Sequence, residues 1–90
     1  MIFKYPINIE RDQVIMMPKY AKIISLFATN GQWCIYAQFQ VDFEKIKEPK
    51  HVRVFGTGNI IENPENLNFI GTMQNGWYVG HVFEVINNQP

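Results

Sequence analysis

Gly56-Thr57-Gly58-Asn59 is the stretch of this 90-residue sequence best suited to holding a ligand. Two glycines let backbone N–H groups converge, Thr57 brings a hydroxyl, Asn59 an amide, and Arg53 precedes the stretch by three residues. Successive N–H groups in such a turn form an anion-binding nest, and a guanidinium supplies the matching charge. The stretch lacks the lysine of a phosphate-binding P-loop, and Ile60-Ile61-Glu62-Asn63-Pro64 does not start the helix such a loop requires. The same four residues also read as a wide turn that needs positive φ at two sites.

Other reactive side chains are sparse. Ser25 is the only serine and falls mid-strand, away from any exposed elbow. Cys34 is the only cysteine, so the chain can form no internal disulfide and no cysteine-based metal cage; in a strand it packs as a small apolar residue. A nucleophile needs a base within hydrogen-bond reach, and nothing in the sequence places His51 or His81 beside Cys34. The two histidines lack paired metal-ligand spacing, and Asp12 and Asp42 stand alone, so no metal or cofactor is expected. Any two glutamates could meet in space for acid–base work, but nothing singles out a pair. The expectation is a binding protein and not an enzyme. His81, between Gly80 and Val82-Phe83-Glu84, is a candidate ligand contact, with a structural strand histidine as the plainer reading.

Eight basic and eight acidic residues balance to a formal charge of zero, which offers no support for duplex DNA binding by phosphate neutralisation. All eight basic residues lie at or before Arg53, while Glu62, Glu65 and Glu84 follow it. An ordinary solvated surface accounts for that asymmetry. Phe3, Tyr5, Tyr36 and Phe55 could stack the bases of a single strand, but that use also wants a basic groove, for which only Lys4, Lys22 and Arg53 are suitably placed. No apolar run is long enough to cross a membrane as a helix and no leader is evident, so a reducing, intracellular location is expected.

The elements that must position these residues are strands. Asn30-Gly31 supplies the positive φ angles of a two-residue type I′ turn and pairs strands at about 22–29 and 32–41. Ala28 then faces Trp33, Leu26 faces Ile35, Ile24 faces Ala37 and Lys22 faces Phe39, a nearly continuous apolar face that resists slippage. The reverse face sets Phe27 against Cys34, Ser25 against Tyr36 and Ile23 against Gln38. Asn75-Gly76 marks a second hairpin, about 68–74 with 77–85, pairing Gln74 with Trp77, Met73 with Tyr78, Thr72 with Val79, Gly71 with Gly80, Ile70 with His81 and Phe69 with Val82. Facing glycines would leave bare backbone for an aromatic ring or a ligand to approach. Trp77 and Tyr78 beside this turn are candidate interface residues, since aromatics there either anchor contacts or cover the hairpin end.

Residues 51–55, 3–7 and 13–18 read as further strands, the last with a helical turn from Asp12 as the alternative, and Pro6 and Pro18 push theirs to edges or ends. Segments 42–50 and 59–67 read as exposed polar loops and 87–90 as a frayed tail. About seven short strands predict a single all-β, mainly antiparallel domain over 1–86, built as a small sandwich or partly open barrel.

Phe3-Lys4-Tyr5-Pro6, Met17-Pro18, Gly56-Thr57-Gly58-Asn59, Phe69-Ile70-Gly71-Thr72 and His81-Val82-Phe83-Glu84, in this order and spacing, resemble a family of small uncharacterised proteins of tailed phages and prophages. Members of that family often carry His after Gly-Thr-Gly where this chain has Asn59, which argues against an essential acid–base role there. The resemblance implies a context more than a mechanism: a protein of the host cytoplasm that binds a host component during infection. The expected function is sequestration of a small anionic ligand such as a signalling nucleotide. Arg53, Gly56, Thr57, Gly58, Asn59, Gly71, Gly80, His81 and Tyr5 are its candidate binding residues, and a homo-oligomer would enclose the ligand between subunits. Direct inhibition of a host protein through Trp77 and Tyr78 or an exposed strand edge is the alternative.

Overall fold

The computed structural model describes residues 1–86; the tail expected at 87–90 lies outside the described residues. Seven strands follow one another: β1 (Ile2–Pro6), β2 (Asp12–Pro18), β3 (Lys22–Thr29), β4 (Gln32–Gln38), β5 (Lys47–Gly56), β6 (Leu67–Asn75) and β7 (Tyr78–Val85). They form two antiparallel sheets, β1-β4-β3 and β2-β5-β7-β6, arranged as an open sandwich. No α-helix occurs among the described residues; Val41–Phe43 and Pro64–Asn66 are single 3₁₀ turns. The all-β expectation therefore holds, with the helical alternative at Asp12 replaced by strand β2.

The core follows from alternation. Trp33, Ile35 and Ala37 of β4 face Val52 and Val54 of β5 and Val82 of β7, with Met17 and Phe39 closing the same buried cluster. The molecule measures 41 × 38 × 16 Å between Cα extremes. Packed sheets stand about 10 Å apart, so this thickness holds one layer of interdigitated side chains and no deep chamber. Any ligand site has to be a surface groove.

The first hairpin turns at Asn30 and Gly31, both with positive φ, and pairs Ala28 with Trp33, Leu26 with Ile35, Phe27 with Cys34 and Ser25 with Tyr36 as the sequence indicates. Beyond Ser25 the register departs. A bulge at Ile24 pairs Ile23 with Ala37 and Lys22 with Gln38, and β4 ends before Phe39, whose N–H donates to the Met1 carbonyl. The uninterrupted register would have aimed Lys22 into the apolar face. One extra residue turns Lys22 outward and returns Ile23 to the core, leaving Ile24 exposed.

In the second hairpin the register is shifted by two residues. The turn is Gly76-Trp77, not Asn75-Gly76, and Asn75 pairs with Tyr78, Gln74 with Val79, Met73 with Gly80 and Thr72 with His81. Gly76 has φ of 63° while Asn75 does not enter the left-handed region, the demand of a turn with glycine at its first central position. A two-residue shift keeps every side chain on its face as far as Gly71, which meets Val82. A bulge at Ile70 then turns Phe69 to the outer face opposite Phe83.

Gly71 and Gly80 therefore do not face one another. Gly80 lies between Gly56 of β5 and Met73 of β6. Its bare backbone receives Trp33: a Cβ there would stand 2.7 Å from Trp33 Cη2 and 3.0 Å from Val54 Cγ1. Gly71 is covered in the same way by Leu26 of β3, whose Cδ2 would lie 3.2 Å from an added Cβ. Gly80 leaves no room for a side chain at the seam between the sheets, and Gly71 leaves little.

β5 also begins earlier than expected, taking Lys47–Lys50 from the segment read as loop. Pro49 is tolerated opposite Met16 because this half of β5 pairs with β2, whereas β7 joins only from Val52. Gly80→Ala should destabilise the fold by about 1–3 kcal/mol, since the buried indole has nowhere to move. Urea unfolding measures the loss, and an unchanged midpoint would contradict this account of the seam.

Candidate functional site

The site is built where the start of β2 meets the end of β5. The β1–β2 connection is tied down by Gln13, whose amide donates to the carbonyls of Asn8 (2.7 Å) and Glu10 (3.0 Å) and accepts from the Asn8 N–H (3.0 Å). Asn8 Oδ1 in turn accepts from the Glu10 N–H at 2.8 Å. The Val54 N–H donates to the Arg11 carbonyl at 2.9 Å, which extends the β2–β5 ladder to Arg11. Arg11 is thereby set with its guanidinium 4.7 Å above the Phe55 ring, a cation–π arrangement. Phe55 is itself buried and continues into an edge-to-face aromatic row with Phe83 (5.6 Å) and Phe69 (5.3 Å from Phe83).

Asp12 lies opposite Arg53 in the ladder. Its Oδ1 accepts from Arg53 Nε at 2.6 Å and meets His51 Nε2 at 3.1 Å. The bond to Arg53 is the main cause that holds the Asp12 carboxyl below the ordinary aspartate value of 3.8; its partial burial opposes the shift, and His51 adds to it. The pair engages Arg53 through Nε and leaves the two terminal amino groups of the guanidinium out of this bond.

Arg11, Asp12, Arg53, Phe55, Gly58, Asn59, Ile60 and Glu62 line an open groove of about 730 Å³. That is within the roughly 300–1,000 Å³ of small-molecule sites. Its charges are two guanidinium groups and two carboxylates. One carboxylate is committed to Arg53, so Arg11 is the cation better placed to meet an incoming anion.

The Gly56–Asn59 stretch is a tight turn, not a wide one. The Asn59 N–H donates to the Gly56 carbonyl at 3.1 Å, and positive φ occurs at Gly58 alone, at 91°. The Asn59 side chain closes it a second time, Oδ1 accepting from the Gly56 N–H at 2.7 Å. The turn is anchored from below by His81. Nε2 of its ring lies 2.7 Å from Thr57 Oγ1 and Nδ1 lies 2.9 Å from Thr72 Oγ1, so the imidazole links β6, β7 and the turn. Each hydroxyl can donate or accept, and either neutral tautomer satisfies both bonds.

Of the residues singled out from sequence, the structure brings Arg53, Gly58 and Asn59 to this groove, with Gly56, Thr57 and His81 supporting the turn. Gly71 and Gly80 lie under Leu26 and Trp33. Tyr5 is on β1 in the other sheet, packed against the core cluster, its hydroxyl buried without a hydrogen-bond partner among the described residues. Burial pushes its phenol up, and the Glu44 charge adds to the effect. Trp77 stands at the hairpin apex, 91% exposed, and Tyr78 stacks edge-on against it at 6.5 Å. Trp33, the other tryptophan beside a hairpin turn, is 4% exposed.

Sequence reasoning missed Arg11, Asp12 and Glu62. His51, Arg53 and Phe55 alternate on one face of β5 and were legible as a row; their partners depended on which strand pairs with β5. Among the described residues no group of three His, Cys, Asp or Glu side chains could hold a metal ion, and no helix is long and apolar enough to cross a membrane.

A family model described as Domain of unknown function (DUF7352) matches residues 1–90. The chain belongs to this family. No curated protein and no solved structure matches it. For this DUF7352 member, then, the site geometry carries the functional argument.

Replacing Arg53 with Met removes the strongest donor to Asp12 and should raise the Asp12 carboxyl toward its ordinary value. Because the folded-state value is depressed, this pair contributes stability above the unfolded aspartate range and loses it as pH falls through the folded value. Carboxyl NMR titration of wild type and Arg53→Met should show the upward move, and coincident curves would mean the pair is not maintained in solution.

Proposed function

We propose that this chain is a non-enzymatic binding protein that captures a small organic anion of the nucleotide class in the Arg11–Arg53 groove. One observation carries the reading. Arg11, held over Phe55, and Arg53, held by Asp12, converge on a groove whose rim is the doubly closed Gly56–Asn59 turn. Side chains fixed before the ligand arrives lose little freedom on binding, so even a shallow groove can be selective. A binder is favoured over an enzyme because His81 is engaged by two threonines and Cys34 is buried in β4, so neither sits in this groove.

The resemblance to tailed-phage proteins supplies the biological setting of the proposal. A phage protein in the host cytoplasm that withholds a signalling nucleotide would blunt a defence triggered by that signal. The groove is open on one side and the molecule only 16 Å thick. A homo-oligomer that closes each groove with a second subunit completes the proposal. The exposed Trp77 supports a second reading, inhibition of a host protein by direct contact, in which Trp77→Ala weakens that complex by about 2 kcal/mol or more.

Calorimetric titration against linear and cyclic nucleotides tests the main reading. At least one class should bind, and Arg11→Ala and Arg53→Ala should each weaken it tenfold or more. Silence across the panel would sink the proposal.

A further inference from the structure

The Gly56–Asn59 turn is bordered by a second groove. Gly56, Thr57, Asn59, Trp77, Tyr78 and Val79 line an open groove of about 400 Å³ beside the hairpin apex. Asn59 lines this groove and the arginine groove alike. The two compartments differ in chemistry. The first holds four charged side chains, whereas none of the six residues around the second is charged, and two of them are aromatic.

Gly56 explains how they meet. A Cβ at that position would lie 3.3 Å from Asn59 Oδ1 and 3.3 Å from Tyr78 Cε1, so a side chain there would press on the amide and the ring that form the junction. With Oδ1 taken by the Gly56 N–H, Asn59 keeps its NH₂ donors for a ligand acceptor lying across the rim. Tyr78 is half-buried against this junction and steadies Trp77 edge-on, while the indole itself is almost wholly exposed. A large apolar ring held out beside a neutral groove, next to a charged groove, matches a molecule with a flat ring at one end and an anionic group at the other.

We infer that the two grooves form one bipartite site, in which Trp77 stacks on the base of a nucleotide whose phosphates lie at Arg11 and Arg53, with Asn59 bridging the two parts. This rests on the anion-binding reading above and adds the recognition of the base. Stacking tolerates any base, because each presents a π-face, so the site discriminates nucleotides from bare phosphates more than base from base.

Trp33 is buried and Trp77 exposed, so a change in tryptophan emission on binding reports mainly on Trp77. Full-length protein is titrated with ADP, GDP and inorganic pyrophosphate, following fluorescence and heat. Both nucleotides should bind roughly tenfold more tightly than pyrophosphate and quench the emission, while pyrophosphate binds without quenching. Trp77→Ala should lower the nucleotide affinities to that of pyrophosphate and leave pyrophosphate unaffected, Trp77→Phe should retain most of the preference, and Arg11→Ala should weaken all three. An unaltered nucleotide-to-pyrophosphate ratio in Trp77→Ala overturns the bipartite site while leaving the arginine groove standing. Failure of ADP, GDP and pyrophosphate alike to bind overturns the bipartite site, and the arginine groove falls with it only if the cyclic nucleotides are silent as well. Loss in Trp77→Ala of a purified host protein's binding, with nucleotide affinities intact, would assign Trp77 to protein contact instead.

Discussion

An indole lying on bare backbone joins the two sheets of this molecule. Trp33 projects from β4 over the bare backbone of Gly80, in the same buried cluster as Val54 on the neighbouring strand. Between sheets about 10 Å apart, a ring of this size packs most readily where the facing residue is small. Gly71 under Leu26 repeats the device where β3 crosses β6, and both of those strands carry a bulge near the crossing. A Cβ at Gly80 would meet the indole at 2.7 Å and force a shift, whereas one at Gly71 would ask Leu26 to give by a few tenths of an ångström.

From that seam the functional surface follows. With Val52 and Val54 turned inward, His51, Arg53 and Phe55 must emerge on the outer face of β5. β2 then lays Asp12 opposite Arg53, while Gln13, on the alternate side, secures the preceding loop and so the position of Arg11. On the far side of the turn, His81 is opposite both Phe55 and Thr72 in the two ladders and joins Thr57 to β6. The rim of the groove is therefore pinned from three strands. The electrostatic arrangement is equally economical: Asp12 neutralises part of Arg53 and orients it, whereas Arg11 rests on an aromatic face and keeps its charge unpaired by any carboxylate among the described residues.

Much of this was legible in order of locality. Asn30-Gly31 announces its turn because both positions of a type I′ turn need positive φ, and the neighbouring apolar alternation leaves one acceptable register close to it. Asn75-Gly76 carries the same letters but turns one residue later, with glycine serving the first central position and Trp77 pushed to the apex. The dipeptide fits both geometries, and the strands around it are apolar enough on each face to accept a shift of two. Lys22 was the one misfit of the unbroken first-hairpin register, and the bulge at Ile24 that turns it outward is a packing matter.

The amino-acid sequence alone determined the fold class, the strand count, the first hairpin's core register and the presence, though not the type, of a turn at Gly56–Asn59, because these rest on backbone preferences and alternation over a few residues. The groove was decided only by tertiary structure. Arg11 and Asp12 reach Arg53 and Phe55 through pairing between strands some forty residues apart, and the choice of strand partner depends on how both sheets share one layer of core. For the same reason the places of Gly71 and Gly80 under Leu26 and Trp33, and of Tyr5 against the core cluster, could not be read along the chain.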